Sequence, residues 1–191
     1  GNTALGMKAL STDTTGRYNV ALGHGTLENQ SFAGSEEVYN VAVGYSAGNQ
    51  VTTGQGNVLV GGKAGDTLTT GGSNVIIGTE GGDVLLDGGQ NTLVGDQVAG
   101  ALTSGSENTY IGRRAASTST TGDANLAIGA GAALSSATVS NEVNLYNGSV
   151  TARFQGAAAA WTFVSDERDK KEIKDLELGV DFVNKLKPRK F

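Results

Sequence analysis

The chain has 191 residues, a formal net charge of −5, 30 glycines, one proline and no cysteine. Its acidic balance argues against nucleic-acid binding through a basic face. The absence of cysteine excludes a disulfide framework and a thiolate metal site, and no apolar run approaches the ~20 residues of a membrane span, so no membrane insertion is expected.

A repeat dominates residues 1–148. Asn, two variable residues, an aliphatic and Gly recur at Asn2–Gly6, Asn19–Gly23, Asn40–Gly44, Asn57–Gly61, Asn74–Gly78, Asn91–Gly95, Asn108–Gly112 and Asn125–Gly129. The Asn-to-Asn step is 17 residues, except for one step of 21 between Asn19 and Asn40, which places four extra residues in or near Ser31–Val38. A decayed ninth copy is expected at Asn144–Gly148. A second glycine follows the Asn by 14 residues, as at Gly54, Gly71, Gly88, Gly105 and Gly122, and a small residue usually follows it by seven, as at Ala47, Ala64 and Ala115.

Triplets such as Val41-Ala42-Val43 and Val75-Ile76-Ile77 are β-prone and too short for a helix. Glycine serves where the chain must turn. One copy is therefore predicted to be a coil of short strands and tight corners that buries its apolar residues only by stacking on its neighbours. The expected fold class is all-β: a parallel β-roll or solenoid of about eight 17-residue coils. The always-aliphatic row Leu5, Leu22, Val43, Val60, Ile77, Val94, Ile111, Ile128 is expected to point inward. The motif asparagines are expected to form a ladder of amides from coil to coil. Thin, glycine-rich coils bury little per chain, which points to several chains sharing an interior, three being natural for a fibre. The chain begins inside a repeat and is expected to be part of a longer one.

These motifs, Asn-Thr-Ala-Leu-Gly, Asn-Val-Ala-Val-Gly and Asn-Leu-Ala-Ile-Gly among them, resemble the head repeats of YadA-like trimeric autotransporter adhesins and the similar repeats of phage tail fibres. The resemblance implies a left-handed parallel β-roll, trimeric about the fibre axis. The bacterial head repeats usually run nearer 14 residues.

Several residues on the roll stand out. Tyr18 and Tyr39 each directly precede a motif Asn and should sit one above the other, either as an aromatic platform for a sugar or as simple stacking between coils. Asp66 and Asp83 share a repeat position with Asn49, which reads as an oxygen-lined cation site or, more simply, a solvated edge. His24, the only histidine, reads as a turn residue. Glu36-Glu37 belong to the insertion and are expected on a bulging loop, where recognition often resides. Gly129-Ala130-Gly131 belongs to the repeat and lacks the strand–loop–helix context of a phosphate loop. No cofactor and no metal are expected.

Residues 149–164 read as a neck with strands at Val150–Phe154 and Trp161–Val164. At Ser165 the chain changes character: residues 165–191 carry 15 charged side chains against 18 in residues 1–164. The stretch Ser165-Asp166-Glu167-Arg168-Asp169-Lys170, followed by Ile173 and Leu186-Lys187-Pro188, resembles the start of the peptidase S74 domain, the intramolecular chaperone of endosialidases and phage tail fibres. That family domain usually runs for roughly a hundred residues, of which 165–191 would be only the N-terminal part of a small α+β unit. The resemblance implies a domain that promotes trimerisation and then cuts itself off. Ser165 would be the nucleophile, Lys170 its base, Asp166 and Arg168 supporting residues, and Val164-Ser165 the scissile bond. A serine hydroxyl needs such a base, and lysine serves only when its pKa is depressed. The alternative is a Ser165 that caps a helix and a solvated Lys170.

The function these features imply is a structural segment of a homotrimeric phage tail fibre. It would sit extracellularly on the virion, beside other tail and fibre proteins, and meet a host-cell surface glycan or receptor. Alternatives are a bacterial trimeric adhesin head, which shares the roll but carries no Ser165–Lys170 motif, and a glycan-acting tailspike enzyme, which needs a pair of carboxylates in a cleft. Enzymatic activity, if any, would be a single autoproteolytic cut.

Overall fold

The computed structural model describes residues 1–155 and the backbone of Thr162–Phe163. The residue triplet after each motif Asn is a strand: β1 (Thr3–Leu5), β2 (Val20–Leu22), β3 (Val41–Val43), β4 (Val58–Val60), β5 (Val75–Ile77), β6 (Thr92–Val94), β7 (Thr109–Ile111) and β8 (Leu126–Ile128). Each pairs in parallel with the next, one repeat on, so that Val58 lies beside Val75 and Val75 beside Thr92. Strand β9 (Glu142–Tyr146) continues the parallel run, and β10 (Thr151–Gln155) and β11 (Thr162–Phe163) then add antiparallel to the same sheet. There is no helix among the described residues. The chain is an all-β parallel solenoid of about eight coils.

The motif glycine has a steric cause. Gly61, Gly78 and Gly95 sit at φ of 140°, 139° and 145°, where side chains are rarely tolerated. A Cβ on Gly78 would run into the carbonyl of Gly95 in the next coil, and the same clash recurs along the row. Each copy needs glycine there because the coils approach backbone to backbone. The corners are less demanding than expected. Lys63, Glu80, Gln97 and Arg114 hold φ between 50° and 60° without being glycine. The left-handed well costs such residues roughly 1–2 kcal/mol each. Inter-coil bonds made from these corners offset that cost, among them Lys63 N–H to the Tyr45 carbonyl at 2.7 Å and Glu80 N–H to the Gly62 carbonyl at 2.9 Å.

The asparagine ladder is present and buried. The Asn74 Oδ1 accepts from the Asn91 backbone N–H and from Asn91 Nδ2, both at 3.0 Å, while Asn74 Nδ2 donates to the Gly88 carbonyl at 2.9 Å. The glycine 14 residues on is thus the carbonyl that takes the spare amide hydrogen, and its own Cβ would clash with the following coil.

The inward row is not the one expected. From β2 to β8 the middle residue of the triplet is buried: Ala21, Ala42, Leu59, Ile76, Leu93, Tyr110 and Ala127 are all fully enclosed, whereas Ala4 of the terminal strand β1 is exposed. Because side chains alternate along a strand, the residues on either side face out. Leu22, Val43, Val60 and Val94 are half-buried, and Ile77 is 40% exposed. The interior is completed by Val51, Leu68, Leu85 and Leu102 from the opposite side of the coils and by small residues such as Ala47, Ala64 and Ala115.

The ninth copy is also shifted. Val143 pairs with Leu126 and Asn144 with Ala127, so Glu142, not Asn144, takes the ladder position. Its backbone N–H donates to Asn125 Oδ1 at 2.9 Å. A carboxylate has no N–H to pass on. Glu142 instead accepts from the Ser135 N–H at 3.0 Å and the Ser135 hydroxyl, and pairs with Arg153 at 3.0 Å. The amide ladder ends at this buried carboxylate, and the antiparallel β9–β10 hairpin begins there.

The insertion lies where the step length placed it. Ser31 N–H still donates to Thr52 and Val38 N–H to Arg17, so the extra residues fall between them, and Phe32 folds back to be buried.

Candidate functional site

Tyr18 and Tyr39 occupy the left-handed corner before the ladder asparagine, with φ of 64° and 57°. That corner swings both side chains out of the coil. Their rings stack at 5.3 Å between centroids, 16° from parallel. The hydroxyl of Tyr39 donates to Glu37 Oε2 at 2.7 Å, and this bond, first of the causes, raises the Tyr39 pKa above its usual value. The tyrosine pair and the adjoining acidic residue Glu37 therefore form one exposed site. The next residue in the row is Gly56, in the same left-handed corner at φ 68°, and after it Ser73 at 59°.

A second aromatic pair lies on the row after the motif glycine. His24 stacks on Tyr45 at 5.5 Å and 21°. The Nδ1 of His24 is buried without a hydrogen-bond partner. Nearby, Lys8 pairs with Glu28 at 2.9 Å, and Asn49 Nδ2 donates to the same carboxylate at 3.0 Å. The Lys8 bond, with help from Asn49, holds Glu28 below the usual carboxylate range.

Asp66 and Asp83 do share a row, and both are pushed above the usual aspartate range. Burial is the main cause for each. Lys63 opposes it in both, while Asp83 reinforces it for Asp66 and Glu80 for Asp83. Asn49 is committed elsewhere, to Glu28 and the Gly25 carbonyl. Among the described residues there is no cluster of three or more His, Cys, Asp or Glu able to hold a metal.

Further along, Gly100 leaves a gap between Asp83 and Ser117, and a depression of about 370 Å³ opens there, also lined by Glu80, Gln97 and Arg114. Its polar groups largely satisfy one another: Gln97 Nε2 donates to Glu80 at 2.9 Å and Arg114 Nε to Gln97 Oε1 at 2.8 Å.

The outer face of the strands is a ribbon two residues wide. Val41, Val58, Val75, Thr92, Thr109 and Leu126 run along one row and Val43, Val60, Ile77, Val94, Ile111 and Ile128 along the other; the face is apolar but for the two threonines, with no charged residue in either row. Among the described residues nothing encloses it, and Ile77, Ile111 and Ile128 are exposed.

Ser165, Lys170, Asp166, Arg168 and the Val164-Ser165 bond lie outside the described residues. In comparisons with family models, curated proteins and solved structures, nothing matches this chain.

Proposed function

We propose that this chain is a rod segment of a homotrimeric fibre, specifically a phage tail fibre that carries host attachment at the virion surface. The single observation that carries the proposal is the largely apolar ribbon, left uncovered by the described residues, on the outer face of a parallel sheet. Parallel sheets are ordinarily covered on both faces, and contiguous exposed apolar surface marks an association site. At ~4.8 Å per coil the eight coils make a ribbon roughly 35–40 Å tall. A fibre tethered at one end needs all its chains to run the same way, which calls for rotation about the rod axis. Each coil then faces its own counterpart, and the two apolar rows meet at the centre. The resemblance of the repeats to trimeric rolls makes the number three. The Ser165–Lys170 motif favours the phage fibre over the adhesin head, because that motif belongs to a folding domain that acts once on its own chain and leaves.

The test is the native mass. Light scattering and sedimentation should give three times the 19.3 kDa chain mass, with the frictional behaviour of a rod. A monomer at micromolar concentration would overturn the assembly.

A further inference from the structure

We infer that Tyr39, Gly56 and Ser73, with Glu37 at the rim, form a slot for one pyranose ring of a glycan. The slot follows from a missing side chain in an otherwise continuous row. Residues before successive ladder asparagines stack one coil apart, and Tyr18 already covers one face of Tyr39. The other face looks along the row to Gly56, which is exposed and has no side chain. A Cβ built on Gly56 would find Ser73 as its nearest neighbour, with Oγ at 3.6 Å and Cα at 3.8 Å, and no Tyr39 atom closer than these. The ring of Tyr39 and the side-chain layer of Ser73 are therefore about two coil spacings apart, roughly 9.5 Å. That distance leaves room for one ring-thick layer between them.

The chemistry of the slot selects its occupant. The face of Tyr39 carries the negative side of the ring quadrupole, which suits the C–H face of a pyranose. The edges of a pyranose are hydroxyls, and the rim offers matching groups: the Glu37 carboxylate, whose Oε1 is not used by Tyr39, the exposed Gln55 amide and the exposed Ser73 hydroxyl. A quaternary ammonium is the competing guest for an aromatic, acidic site. It is best held by several aromatic faces arranged as a cage, whereas this slot has one aromatic wall, the Tyr39 face toward Gly56.

That the glycan is one on a host surface rests on the fibre reading; the slot itself does not. The experiment uses the assembled protein with methyl glycosides of glucose, galactose and N-acetylglucosamine as probes and choline as the cationic control. Binding is read by saturation-transfer NMR and by the Tyr39 ring resonances. At least one glycoside should bind and shift Tyr39. Tyr39→Ala removes the stacking face and should weaken that binding about ten-fold or more, on the scale of one stacked ring. Gly56→Tyr should abolish it by filling the slot with the protein's own ring. This variant should still fold, because Tyr18 and Tyr39 hold the same corner conformation in the same row. Tyr45→Ala, on another row, should bind as the parent does. If no glycoside binds, if Gly56→Tyr binds undiminished, or if choline alone binds, the slot is refuted. Native mass on the same samples keeps the two readings separate: a trimer that binds no glycoside refutes the slot alone, and a monomer that binds one through Tyr39 refutes the fibre alone.

Discussion

Asp66 and Asp83 stand one above the other, each partly withdrawn from water, and their chemistry makes a sharp test of what that edge holds. Both carboxyls bind their proton more tightly in the folded chain than the ordinary value of 3.8. Between that value and the raised folded one, the native state holds more protons than the unfolded state. Stability therefore falls as pH rises through that window and stays lower above it. Asp83→Asn removes the charge with little change in shape, so it should raise the melting temperature near neutral pH. The advantage should disappear below the ordinary aspartate range, where the parent is protonated too. Both groups are only partly buried, which keeps the effect small. Thermal melts of parent and variant across pH decide it. An Asn variant that melts lower than the parent at neutral pH would mean that the carboxylate is held by a cation, the oxygen-lined site that the shared row first suggested.

At the scale of the coil, neighbouring residues of one strand have opposite tasks. Ile76 is fully enclosed and Ile77 is 40% exposed. Ile76→Asp places an unpaired charge in a dry interior at a cost of several kcal/mol and should unfold the coil, seen as loss of the strand signal in circular dichroism. Ile77→Asp should leave that signal intact and break the proposed assembly to monomers. A charged Ile77 variant that keeps the trimer mass would show that the outer ribbon is not the interface. The same pair explains what could be read beforehand. The period, the ladder and the glycines were legible because each coil needs the same amide and the same bare backbone. The inward face was not, because Val75-Ile76-Ile77 is apolar throughout and shows no alternation. Uniformity pointed to the wrong row. The buried row varies from Ala21 to Leu59 to Tyr110 because each residue is matched across the coil. Small Ala21 shares its coil with the buried Leu27, a Cβ on Gly65 would crowd Leu59 at 3.1 Å, and the Tyr110 hydroxyl finds Asn108 at 2.9 Å and Ser119 at 3.3 Å. The aromatic site was half legible: a fixed position before each asparagine stacks Tyr18 on Tyr39. The bond from Tyr39 to Glu37 was not, since the spacing alone does not say whether Glu37 lies in the insertion or beside it; it is bridged in register to Arg17.

Over the whole molecule, charge is distributed in a way that separates what lasts from what is proposed to leave. The strands β1 to β8 carry no charged residue, whereas residues 165–191 carry 15 in 27 positions, too many for the dry ribbon-lined axis proposed for the fibre. A segment of that kind suits a folding aid better than a part of the finished rod. Each coil is stabilised mainly by its neighbours, so three chains held in one register let coils stack from a single end. The aid is then no longer needed. On the proposed reading, removing it would make disassembly irreversible in practice, because the rod would persist by its unfolding barrier once the element that set the register had gone. The expected outcome, in a chain that carries the remainder of the proposed chaperone domain, is hydrolysis of the Val164-Ser165 bond after trimerisation, with a released piece whose first residue is Ser165. Ser165→Ala removes the attacking hydroxyl and Lys170→Ala the base that takes its proton. Both variants should trimerise and stay uncut, since setting the register depends on the domain's surface rather than on its hydroxyl. Denaturing and native mass, measured together with terminal sequencing, read both events. A Ser165→Ala chain cut at the same bond and at the parent's rate would remove the autoproteolytic role and leave Ser165 as a helix cap.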